Sequence, residues 1–212
     1  MLNLTRPKAL AATGVSLVLI LAAIAYAFKV PPFNEKIGEI KASDACPSLG
    51  SPSSSIPALK EILPRRSSYS FDDTVTGGSN TSGLDYGASC LVTGESESPL
   101  LAARSRSMPA EPAEGWLKWV KTTAISNNSV GSLTPFAADD KAAASGKFAA
   151  IFLPCISEKK NQSPQYNISL TVELGRPGDA STRAGLIDLV ESAASYAHNK
   201  ARCNMPLELA DN

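Results

Sequence analysis

Between residues 146 and 203 the hydrophobic period of the chain changes twice, and cysteines close the first and last of the three segments this creates. Residues 148–153 read Phe-Ala-Ala-Ile-Phe-Leu without interruption, and Pro154 and Cys155 follow. A short apolar run closed by a turn residue is a strand buried on both faces. Pro154 lacks an N–H and belongs at the end of that strand or on an edge. After a polar loop over 158–164, the chain alternates. Tyr166, Ile168, Leu170, Val172 and Leu174 fall on one side, and Asn167, Ser169, Thr171 and Glu173 on the other. That is the period of a strand with one buried and one wet face. Gly175-Arg176-Pro177-Gly178 breaks it, and Asp179, Ser181 or Thr182 can cap a helix. Leu186, Ile187, Val190, Ala193, Ala194 and Ala197 then recur at helical spacing, with Asp188, Glu191, Ser192 and Ser195 largely opposite. This is an amphipathic helix laid on the sheet. Lys200 and Arg202 suit the negative end of its dipole. Cys203 follows, placed to pin the helix end to Cys155.

The amino end sets a second constraint. Residues 1–8 carry Arg6 and Lys8, and 9–28 carry no charge. Such a segment spans about 30 Å at about 1.5 Å per residue, one hydrocarbon thickness. The cations before it favour a cytoplasmic amino terminus (1–8) and a single transmembrane anchor (9–28), through which the protein meets the lipid bilayer. Ala25-Tyr26-Ala27 also resembles a signal-cleavage site, which would make the product secreted. Both readings export everything after residue 28. Residues 29–43, opened by Pro31-Pro32, read as a linker.

The folded part is expected over 44–205, with 206–212 as a tail. Residues 56–63 form a short amphipathic helix after a loop over 52–55. Residues 67–76 read as a weak strand, 77–83 as a glycine-rich turn and 84–93 as a second strand. The glycine run lacks the lysine and following helix of a phosphate loop. Residues 98–112 read as a strand remnant plus linker. Trp116, Leu117, Val120 and Ala124 give one apolar face to a helix over 113–125, where Trp116 is best placed as a core anchor. Residues 127–147 read as loop, with a helical turn around 139–144. The two parts 44–100 and 112–205 carry similar sets of elements without residue-level repetition, so duplication stays open. The fold class is α+β, an antiparallel sheet packed with amphipathic helices.

Four cysteines, Cys46, Cys90, Cys155 and Cys203, all follow the apolar segment. An exported chain meets oxidising conditions, so two disulfides are expected. Three pairings are possible. Cys46–Cys90 with Cys155–Cys203 is favoured because each closes a loop within one half, at about 3–4 kcal/mol apiece in the chain-entropy model. There is no C-x-x-C, and His198 is the one histidine, so neither a zinc site nor an activated thiol is expected. Twenty basic residues balance twenty acidic ones, which argues against a nucleic-acid partner. No nucleophile elbow occurs. The neighbours Asp72 and Asp73 point to opposite faces of a strand, and Asp139-Asp140 has no calcium-loop pattern. The sequons at Asn80, Asn161 and Asn167 matter only in a glycosylating pathway. No catalytic, cofactor-binding or metal-binding residues are assigned, and no cofactor is expected.

Asp44-Ala45-Cys46-Pro47-Ser48-Leu49, then Gly87-Ala88-Ser89-Cys90, then Gly146-Lys147 to Pro154-Cys155 and a late alanine-rich helix ending near Cys203 resemble small envelope proteins of actinobacteria. These are anchored outside the membrane by a lipid or one amino-terminal helix. The resemblance covers most of 40–205 and implies location and fold rather than chemistry. The expected function is a membrane-tethered extracytoplasmic binding or interaction domain for a protein or small ligand. Loops 77–83, 126–146 and 157–165 are its expected contact surfaces. The alternative is an envelope hydrolase whose residues converge only in the fold. Convergent carboxylates or a buried Ser, Asp or Lys cluster in a cleft would favour the enzyme, and a flat or shallow apolar face the binding domain.

Overall fold

A computed structural model describes residues 38–77, 85–96, 98–126, 130–136, 141–156 and 165–203, without the side chains of 123–126, 156 and 165. The candidate anchor, the loops 78–83 and 157–164, Asn80, Asn161, Asp139-Asp140 and the tail lie outside them. Among the described residues no helix is long and apolar enough to cross a membrane.

Seven strands form one antiparallel sheet: β1 (Ser70–Thr76), β2 (Gly87–Thr93), β3 (Pro99–Pro109), β4 (Thr134–Pro135), β5 (Ala142–Ala144), β6 (Phe148–Ile156) and β7 (Gln165–Leu174). Their order across the sheet is β1-β2-β3-β7-β6-β5-β4. Three α-helices pack on it: α1 (Pro52–Ile62), α2 (Ala113–Ser126) and α3 (Ala180–Ala201), and a 3-10 turn, Pro47–Leu49, precedes α1.

The strand-strand-helix unit folds as its periodicity predicts. Tyr166, Ile168, Leu170, Val172 and Leu174 of β7 and Ala149, Ile151, Leu153 and Cys155 of β6 enter one core with α1 and α3. Phe148, Ala150 and Phe152 enter a second core on the opposite face, beneath α2. Asp179 caps α3 in a capping box with Thr182. Both disulfides have the favoured pairing, Cys46–Cys90 and Cys155–Cys203.

Five expectations need correction. The folded unit starts at Gly38, inside the supposed linker: Ile40 is buried in the core, and the Gly38 N–H bonds to the Arg66 carbonyl. Residues 52–55 are helical rather than a loop, because Pro52 takes the first helical position, where no N–H is needed. Residues 99–109 form an interior strand, paired with β2 on one side and β7 on the other. The supposed loop over 127–147 supplies β4 and β5. Pro154 does not end its strand, since β6 runs on to Ile156; it sits opposite Asn167, in the edge position that the sequence also allows. It lies beyond Ile151, where β5 has ended, so among the described residues one side of the strand is open and tolerates a missing N–H.

The supposed wet face of β7 is wet only in part. Asn167 and Ser169 are buried, while Thr171 and Glu173 are half-exposed. Trp116 Nε1 donates to Ser169 Oγ at 2.8 Å, and the Asn167 amide donates to the carbonyls of Glu111 (3.0 Å) and Pro109 (3.4 Å). The polar alternation on that face therefore supplies hydrogen-bond partners for α2 and its leading segment. The two halves do not form separate units, since β3 and β7 adjoin at the centre of one sheet. They are not related by a two-fold axis either. The antiparallel β3–β7 pair would require an axis normal to the sheet, which keeps equivalent helices on one face. Instead α1 packs into one core and α2 into the other.

Candidate functional site

Where the first folded turn meets the last helix, the described residues enclose an open groove of about 510 Å³. Ser51, Ser54 and Ser55 line it from the start of α1, and Cys46, Pro47 and Gly50 from the turn before it. From α3 come Ser192, Ser195, Tyr196 and Asn199.

Local sequence explains why the walls approach. Gly50 has φ +100°, and a Cβ there would lie 2.1 Å from Ser192 Oγ and 2.5 Å from the Ser192 carbonyl oxygen. Only glycine takes this backbone and leaves that space. Further along, a Cβ on Gly185 would lie 2.5 Å from Ile62 Cγ2, so α1 and α3 pack at a small-residue contact.

Hydroxyls connect the walls. Ser51 Oγ is 2.9 Å from Ser53 Oγ and 2.8 Å from Ser54 Oγ, and Ser54 Oγ is 2.8 Å from Ser192 Oγ. Ser54 Oγ also lies 3.1 Å from the Ser51 carbonyl. Its single proton therefore has three oxygen neighbours, and the direction of the chain can reverse by hydroxyl rotation. Ser55 donates to the Ser51 carbonyl and Ser195 to the Glu191 carbonyl, leaving their lone pairs to accept.

A second polar cluster lies close by, on the inner face of β1 to β3. Ser48 Oγ donates to the Asp73 carboxylate, and Tyr86 Oη and Ser105 Oγ are 3.1 Å apart. Burial pushes the Tyr86 phenol up to about 12, and the charge of Asp73 adds to this. Burial, then Asp73, also raises Tyr196. Both phenols are thus protonated donors at neutral pH. Cys46, Asp73 and Cys90 bring two sulfurs and a carboxylate within 4.8 Å of one another. The sulfurs are bonded to each other, so they offer no thiolate to a metal.

The four cysteines thus act as two staples. One ties the turn that lines the groove to β2, and the other ties β6 to the end of α3. Asp72 is exposed and Asp73 faces inward, opposite sides as expected for neighbours in a strand. Asn167 is buried with its amide engaged, so its sequon is closed to glycosylation in the folded chain. His198 is half-buried near the end of α3 and does not line the groove.

The groove serines were legible only as a loop and as the polar side of α3. Ser192 is in fact buried. The available signal was Ser51-Pro52, a helix-start pair that extends α1 towards α3.

Comparison of the chain with protein families, curated proteins and solved structures returns no match. Function has to be argued from the groove. No carboxylate, lysine, arginine or histidine is among the described residues that line it. Its described lining can hold a molecule by shape and by neutral hydrogen bonds.

Proposed function

We propose that this protein is an extracytoplasmic binding module of a cell envelope, tethered by residues 9–28, like the small anchored actinobacterial proteins its cysteine pattern resembles. The groove between α1 and α3 is its ligand site. The observation that carries this is the groove's polar lining among the described residues, five serine hydroxyls with Tyr196 and Asn199. The two disulfides support the compartment, since such bonds persist in oxidising surroundings.

The test is thermal melting of the purified full-length protein with fractions of envelope extract, beside an Asn199→Trp variant that fills the groove. A fraction that raises the melting temperature of the native protein and not of the variant supports the reading. Turnover of ester, peptide or glycoside substrates, abolished by Asn199→Trp, would overturn it in favour of the hydrolase. Retention of the chain in alkali-washed membranes distinguishes tethering from secretion after cleavage at Ala27.

A further inference from the structure

We infer that the groove between α1 and α3 takes a neutral, polyhydroxylated ligand, a short uncharged oligosaccharide. This rests on the groove being a binding site and adds the chemistry of what enters it.

Charge narrows the choice first. A ligand cation would leave water for a groove with no carboxylate among its described lining residues, and charge that is desolvated without a partner is costly. An anion fares no better. The usual anion donors at a helix start are its free N–H groups. At this end of α1, Pro52 has no N–H, and the Ser54 and Ser55 N–H groups already bond to the Ser51 carbonyl at 3.1 and 2.9 Å. Only Ser53 is left of that first turn, and no arginine or lysine among the described residues lines the groove to add to it.

The polar groups that are present fit a polyol. A hydroxyl donates once and accepts twice, and an Asn amide offers both donors and acceptors. The groove hydroxyls Ser51–Ser54–Ser192 form a chain that can run in either direction, so it can meet a ligand hydroxyl as donor or acceptor. Ser195, half-buried and with its proton spent on the Glu191 carbonyl, accepts. Asn199 is exposed at the mouth and offers an amide of the kind that spans neighbouring sugar hydroxyls. The remaining lining, including Tyr196, Pro47 and Pro52, is the apolar surface against which the C–H faces of a sugar ring pack. The volume, about 510 Å³, falls inside the roughly 300–1,000 Å³ of small-molecule sites.

The experiment is calorimetric titration of the purified full-length protein, held in a detergent without a sugar headgroup. The probes are neutral gluco-, galacto- and arabino-oligosaccharides, uronate and amino-sugar counterparts of equal length, and a set of short peptides. Binding of at least one neutral series is expected. Raising the salt should leave it unchanged, and Asn199→Trp should weaken it by about tenfold or more. The melting temperature should hold, because Asn199 is exposed. Arg104→Ala, on the far face of the sheet, should bind normally. Two results would overturn the inference in different ways. Binding confined to charged sugars or peptides, and lost in Asn199→Trp, removes the neutral-sugar class but keeps the groove as a site. No binding of any probe, or binding indifferent to Asn199→Trp, removes the groove as well.

Discussion

The two faces of the sheet are covered differently. On the face of α1 and α3, inward residues from β2, β3, β5, β6 and β7 join one core, and Phe71 and Val75 of β1 pack against its edge. On the opposite face, the smaller core under α2 is built from Trp116, Leu117, Val120, Val130, Ala143, Phe148, Ala150 and Phe152. There the outward positions of β1 to β3 include exposed Asp72, Thr74, Ser89, Arg104 and Arg106, and Leu91 at 37% exposure. The chemistry of contact differs too. The long helix α3 lies on the sheet through Leu186, Leu189 and Val190 followed by Ala193, Ala194 and Ala197, small residues that bring it close. The helix α2 is held by one large side chain. Trp116 is fully buried, 5.4 Å from Phe152 between ring centroids, with its N–H on Ser169. One face is a distributed contact, the other an anchored one.

Cutting the anchor is the sharpest way to break that contrast. Trp116→Ala should cost about 3–5 kcal/mol, and amide exchange should show its loss concentrated in α2 while α3 stays protected. Leu189→Ala, at about 2–5 kcal/mol, should instead lower protection across both helices and the central strands. Equal, global loss in both variants would mean that the faces form one cooperative unit.

Removing the staple on the distributed face comes next. The Cys155→Ala, Cys203→Ala pair opens a loop of 48 residues, worth about 4 kcal/mol in the chain-entropy model. Denaturant unfolding measures it. Native-state exchange should show fraying at the end of α3, where the Tyr166 hydroxyl on the Ala201 carbonyl would be the remaining tie.

Two titrations sharpen the comparison further. Tyr86 belongs to the distributed face, and its pKa is raised to about 12. Its contribution is complete below the unfolded value of about 10 and is lost as pH rises from there through about 12. Stability should therefore fall in that alkaline window, and less steeply in Tyr86→Phe. Asp179 behaves in the opposite sense. Its carboxylate accepts from the Thr182 N–H, then from the Ser181 and Thr182 hydroxyls, and its pKa is lowered to about 2. That contribution is present above the unfolded value of about 3.9 and is lost as pH falls through about 2. Asp179→Ala should lower the melting temperature at neutral pH and leave it unchanged at the acid end.

The smallest effect belongs to the open part of the anchored face. Arg106 stands 4.9 Å over the Trp119 ring. Its loss in Arg106→Ala should cost about 0.5–1 kcal/mol by chemical denaturation.

The sequence by itself determined the elements whose apolar residues are large and regularly spaced. β6, β7, α3 and the Trp116 face of α2 were legible because Leu, Ile, Val and aromatic side chains mark their period strongly. The four cysteines could be paired because each pair closes a loop within one half. Tertiary structure alone decided the rest. β3 presents Leu101, Ala103 and Ser105 inward, too small and polar a set to read as an interior strand until β2 and β7 supply its ladders and Tyr86 meets Ser105. β5 is Ala142–Ala144, a trio that carries no period of its own. It is a strand because the apolar β6 pairs beside it. The groove lay furthest from view. Serines at 51–55 and at 192–195 lie well over a hundred residues apart along the chain, and each run looks solvated alone. They converge because Gly50 and Gly185 let the first and last helices approach within the space of a missing methyl, a contact distance that no local pattern records.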